Sequence, residues 1–98
     1  MAEAEVVFNE ARSRFELEDD GAIAFIDARR SGDTMTLVHT EVPEAFEGRG
    51  IGSRLVRGAL AYIRDNGLDV VPQCPFVASY LKRHPDEATE LGLDPATL

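Results

Sequence analysis

The chain has 98 residues with 18 acidic and 10 basic side chains, a formal net charge of -8, 44% hydrophobic residues and 29% charged residues. One domain over residues 1–98 is predicted, because this length buries a single core and leaves no room for separate cofactor and substrate domains. The acidity works against nucleic acid and anionic membranes as partners, and no run approaches the ~18 consecutive apolar residues of a membrane helix.

The acidic start Met1-Ala2-Glu3-Ala4-Glu5 is unlike a basic signal peptide, so a cytoplasmic protein is expected. A single cysteine, Cys74, cannot form an internal disulfide or a cysteine-rich metal site. No metal is expected: His39 and His84 without a spaced cluster are a poor ligand set.

In chain order, Glu5–Glu10 and Arg14–Glu18 read as short strands, the second alternating Phe15 and Leu17 with charged neighbours. Asp19-Asp20-Gly21 turns the chain into a third strand, Ala22–Ala28, which Arg30-Ser31-Gly32-Asp33 ends. Three strands joined by tight turns form an antiparallel meander. Thr34–Val42 is β-branched and apolar on consecutive positions at Leu37 and Val38, which predicts a central strand covered on both faces.

From Gly50 the period changes to helical: Ile51, Leu55, Val56, Ala59, Leu60 and Ile63 share one side, and Asn66-Gly67 closes the helix. Leu68–Val71 is a fifth strand, parallel to Thr34–Val42 by the right-handed crossover rule. Pro75 can open a second helix through Arg83, with Val77, Tyr80 and Leu81 on one side. Residues 86–98 read as an acidic C-terminal tail with little structural information.

The segment Glu47-Gly48-Arg49-Gly50-Ile51-Gly52-Ser53 lies between a strand and a helix, where free backbone N–H groups converge on an anion. Gly48, Gly50 and Gly52 carry no side chain to hold a phosphate away, and Arg49, Arg54 and Arg57 add positive charge nearby. A plain tight turn is the competing reading. No lysine follows Gly52, so the loop is not a Walker loop, and the glycine spacing and preceding meander do not match a dinucleotide fingerprint.

Val42-Pro43 followed by this loop and Leu55 resembles the coenzyme A motif of the GNAT superfamily of N-acetyltransferases, usually Arg/Gln-x-x-Gly-x-Gly/Ala after a valine-rich strand. Gly50 and Gly52 fill the glycine positions, while Glu47 stands where Arg or Gln is usual. His39–Pro43 and Cys74–Pro85 extend the likeness to a compact GNAT-like branch of about one hundred residues, so that Thr34–Pro85 is covered. The resemblance implies an α/β (α+β) fold: a mixed, mostly antiparallel five-stranded sheet with two helices. It also implies acetyl-coenzyme A as cofactor, an irregular strand at Thr40-Glu41-Val42 that pairs with the pantetheine arm, and an amine acceptor. The resemblance further implies that substrate-enclosing helices of longer relatives have no counterpart in this sequence, so an open acceptor site, or one completed by a partner chain, is expected.

Acyl transfer needs a base for the amine, a donor for the developing oxyanion and a proton for the leaving thiolate. Tyr80-Leu81-Lys82 resembles the superfamily's Tyr-x-Lys, whose tyrosine supplies that proton; a packing role beside Val77 and Leu81 is the alternative. Cys74, between a strand and a helix, is either a nucleophile that carries the acyl group or a small buried hydrophobe. His39 and Glu41 share a strand face, as a base with an orienting carboxylate or as a surface pair. The expected acceptor is a primary amine of a small molecule or protein, such as a polyamine or a basic tail, and a monomer or homodimer is expected. The alternative function is a non-catalytic acyl-coenzyme A-binding or sensing module.

Overall fold

A computed structural model describes residues 6–46 and 48–98. Strands β1 (Val6–Asn9), β2 (Arg14–Asp19), β3 (Ala22–Ser31) and β4 (Thr34–Glu41) form the antiparallel meander. A 3-10 turn at Glu44–Phe46 leads into helix α1 (Ile51–Asp65), which returns the chain to β5 (Asp69–Pro72), parallel to β4. The sheet order is β1-β2-β3-β4-β5.

One face of this sheet is covered. Phe15, Leu17, Ala24, Ile26, Ala28, Met35, Leu37 and Val70 point into the core, against Ile51, Leu55, Val56, Ala59, Leu60 and Ile63 of α1. Period 2 on the strands and period 3.6 on the helix select those residues. Truncating any of the fully buried leucines to alanine costs about 2–5 kcal/mol.

Two expectations change here. Strand β4 is buried on one face only: Met35 and Leu37 are fully buried, while Thr34 and Thr36 are half-buried. The adjacent apolar pair Leu37-Val38 has another cause. Asp27 pairs with His39 and Ala28 with Leu37, so Val38 is an extra residue in β4, a β-bulge. The irregularity therefore lies at Val38 and not at Thr40-Glu41-Val42. Its effect is to invert the alternation, which turns Thr40 toward the covered face and His39 and Glu41 outward.

The acidic tail is likewise ordered structure. Helix α2 (Pro75–Arg83) is followed by a short helix α3 (Pro85–Glu90) and a 3-10 turn at Pro95–Thr97. Ala88 is fully buried, and Leu91, Leu93 and Leu98 pack on the core. Apolar residues spaced among carboxylates hide that packing in the sequence. The fold is thus the expected mixed five-stranded sheet with a third, six-residue helix added.

Candidate functional site

Strand β5 pairs with β4 only from Thr34↔Asp69 to Leu37↔Pro72. Pro72 has no N–H to extend the ladder. One further link, from Cys74 N–H to the Leu37 carbonyl at 2.8 Å, closes the pairing. Beyond it, Val38–Glu41 run on without a β5 partner, and a notch opens between the two parallel strands.

At the end of that notch lies the glycine loop. Gly48 and Gly50 have φ of 77° and 69°, the left-handed region that side chains disfavour, and a Cβ on either would meet nothing within 4 Å. Their missing side chains leave an open cradle. Gly50 is the N-cap of α1 and, as a glycine, has no side chain with which to cap the helix. Arg54 N–H makes the first helical bond, to the Gly50 carbonyl, and among the described residues the N–H groups of Ile51, Gly52 and Ser53 at this helix start have no backbone acceptor.

Gly52 has a different reason to be glycine. A Cβ there would stand 2.6 Å from Cζ of Phe76, whose ring lies over it from α2. The loop, Val42, Phe46, Phe76 and Arg83 line an open cleft of about 320 Å³. Arg49 turns away from it and pairs with Asp19 of β2 at 2.7 Å, so it does not supply the loose charge expected of it. Glu47 lies outside the described residues. The cradle, the free donors and one arginine across the cleft suit a phosphate group and fit the pyrophosphate of coenzyme A.

A second cleft, of about 510 Å³, adjoins β4 on the open side of the sheet and is lined by Ile23, Phe25, His39, Thr40, Glu41, Val42 and Pro43. His39 Nε2 lies 4.0 Å from a Glu41 carboxylate oxygen, and both side chains are more than half exposed. The sequence pairing of these two residues is therefore a spatial one, beside the notch.

Cys74 sits where the strands part but is buried, 4% exposed, with its sulfur 3.2 Å from Thr40 Oγ1. Thr40 reaches it because of the Val38 bulge. The thiol is thus at the notch and enclosed by it.

Tyr80 is placed elsewhere. Its ring is fully buried and stacks 4.2 Å from the His84 ring, and its hydroxyl lies 2.8 and 3.0 Å from the two carboxylate oxygens of Glu87. Burial, together with the Glu87 carboxylate and against the pull of Arg57, raises its pKa above the usual 10.0. Tyr80 lines neither cleft described above. A sequence motif cannot reveal this, because the partner Glu87 belongs to the stretch that reads as a tail. His84 ends α2 and starts α3, with Nδ1 3.6 Å from Glu87.

Phe76 and Arg83 line the cleft although no motif in the sequence marks them as site residues. Their spacing of seven on α2 places both on one side of that helix, which was the available signal. Among the described residues no group of three or more His, Cys, Asp or Glu side chains could hold a metal ion, and no helix is long and apolar enough to cross a membrane.

The comparisons with known proteins bear on the family and the fold. The family model of the GCN5-related N-acetyl-transferases matches residues 14–91. The chain is 38% identical over 52 residues to Protein NATD1 of Xenopus tropicalis, covering 53% of this chain and 48% of that one. It is 39% identical over 49 residues to the human Protein NATD1, covering 50% and 43%. The matched region thus spans a little under half the length of those relatives. The solution structure of a GCN5-like protein from Staphylococcus aureus superposes with a TM-score of 0.68 over 93% of this chain and 89% of that one, at 24% identity, which is a likeness of fold.

Proposed function

Because the chain belongs to the GCN5-related N-acetyltransferase family, we propose that it transfers an acetyl or other acyl group from coenzyme A to a primary amine. The observation that carries this reading is the continuity of three features: the open glycine cradle at the start of α1, the unpaired edge of β4 at Val38–Glu41, and the His39–Glu41 pair beside that edge. Gly48, Gly50, Ile51, Gly52 and Ser53 would hold the pyrophosphate through backbone N–H groups, and Thr40, Glu41 and Val42 would hold the pantetheine arm as an added strand does. When bound, acetyl-coenzyme A supplies the activated thioester carbonyl.

His39 accepts the proton of the attacking ammonium at a ring nitrogen, and Glu41 orients the imidazole and attracts the cation. The unpaired backbone of β4 offers an N–H to the developing oxyanion. Direct attack by the amine fits this site better than a relay through Cys74, since the enclosed thiol would first have to leave Thr40. In the direct reaction the C–N bond would form as the C–S bond breaks; the first proton of the ammonium would go to His39 and the second, lost from the nitrogen as the amide forms, to the leaving thiolate. Tyr80 is not assigned that proton, because its hydroxyl is held by Glu87.

The test is calorimetry with coenzyme A and acetyl-coenzyme A, followed by thiol release across a panel of polyamines and lysine-containing peptides. We expect binding, turnover with at least one amine, and a fall of about 10²–10⁴-fold in kcat for His39→Ala, the usual contribution of a general base. Binding without turnover of any amine would favour the second reading, a non-catalytic acyl-coenzyme A-binding module. The exposure of His39 and Glu41 on an open sheet face favours that alternative. No binding at all would dispose of both.

A further inference from the structure

We propose that Arg83, from the last turn of α2, is the side chain that clamps the cofactor pyrophosphate against the glycine cradle. The inference rests on the proposed use of that cradle for coenzyme A, and it goes beyond it by naming a residue outside the loop.

Three observations lead to it. First, the loop's own side chains are poorly suited to the task. Arg49 is committed to Asp19 at 2.7 Å with its guanidinium over the Phe46 ring at 5.5 Å, and position 47 carries a carboxylate where a cation or amide is usual. Second, Arg83 lines the same cleft as Gly48, Gly50, Ile51, Gly52 and Ser53, while Arg54, Arg57 and Lys82 do not. Third, Arg83 is exposed and its side chain makes no hydrogen bond or ion pair to another described residue, so no contact among the described residues holds its guanidinium away from the cleft.

The physical logic is a division of labour between two helices. The start of α1 contributes backbone N–H groups and partial positive charge, which bind an anion without much selectivity. A guanidinium on the other wall adds a full charge and a planar fork that matches two phosphate oxygens. Phe76 sets the distance between the walls, because its ring rests where a Gly52 side chain would be. A family pattern written for the loop alone misses such a residue, since it lies thirty positions downstream and on another helix.

Calorimetric titration of coenzyme A, dephospho-coenzyme A and pantetheine into the wild type, Arg83→Ala and Arg83→Lys tests the proposal. Arg83→Ala should weaken the two pyrophosphate-containing ligands alike, by about tenfold, the lower end for a charge-assisted contact. It should leave pantetheine affinity and the thermal midpoint unchanged, and Arg83→Lys should recover part of the loss. Wild-type binding with undiminished affinity in Arg83→Ala would overturn the inference alone. A loss confined to coenzyme A and absent with dephospho-coenzyme A would also overturn it, by moving Arg83 to the 3′-phosphate. Failure of the wild type to bind coenzyme A would remove the proposed function and this inference together.

Discussion

The start of α1 and the junction of α2 with α3 are both helix ends rich in polar groups, and they use those groups in opposite ways. At α1 the N-cap is a glycine with no side chain to cap the helix, and a Cβ at Gly48 or Gly50 would meet only open space. At the α2–α3 junction His84 serves as C-cap of one helix and N-cap of the next, and Glu87 accepts from the buried Tyr80 hydroxyl while lying 3.6 Å from His84. Polar groups with internal partners hold a fold together. Donors left without partners at an open surface are available to a ligand, and that contrast separates the glycine motif from the tyrosine motif nearly thirty residues later in the sequence.

Gly50→Glu should have the largest effect. The substitution places bulk and negative charge in the cradle and forces a side chain onto a backbone with φ of 69°. Coenzyme A affinity should fall about a hundredfold or more in calorimetry, equivalent to two charge-assisted contacts. Unchanged affinity would erase the distinction between the two helix ends.

Tyr80→Phe probes the opposite end. It removes the donor to Glu87 and should lower stability by about 1–2 kcal/mol in denaturant titration, with coenzyme A affinity unchanged. The pH dependence has a definite sign. The folded-state pKa of Tyr80 is raised, so its contribution is fully present below the unfolded value of 10.0 and is lost as pH rises through the folded one. The alkaline decline in stability should be shallower in the variant. A large loss of turnover with no loss of stability would instead return Tyr80 to a catalytic role.

Gly52→Ala should have the smallest effect and sharpen the comparison, because Gly52 belongs to the cradle by sequence and to the α1–α2 packing by structure. Its new Cβ would meet the tip of the Phe76 ring, which is 41% exposed and can swing aside. A loss of coenzyme A affinity of about threefold is expected, with a stability change under ~1 kcal/mol, small for an overpacked contact because the ring is free to yield. The double substitution Gly52→Ala, Phe76→Ala should not lose more affinity than Phe76→Ala alone.

Much of this protein was legible from residue order. The period-2 burial of Phe15 and Leu17, the 3.6-residue stripe from Ile51 to Ile63, and the change of period at Gly50 specify strands, helix and the turn between them by local stereochemistry. The Gly48 and Gly50 cradle was legible too, because positive φ is a property of the backbone at that residue. Other features depend on which distant residues meet. The Val38 bulge exists only in the pairing of β4 with β3, and it alone sends His39 and Glu41 outward and Thr40 onto Cys74. The ordering of residues 85–98 needs Ala88 and Leu91 to find the core, and the role of Tyr80 needs Glu87 beside it. Arg49 has a partner in Asp19, thirty residues earlier, whereas Arg83 faces the cleft. Local geometry is written in neighbouring residues; which charge is free and which is paired is decided only when the chain closes on itself.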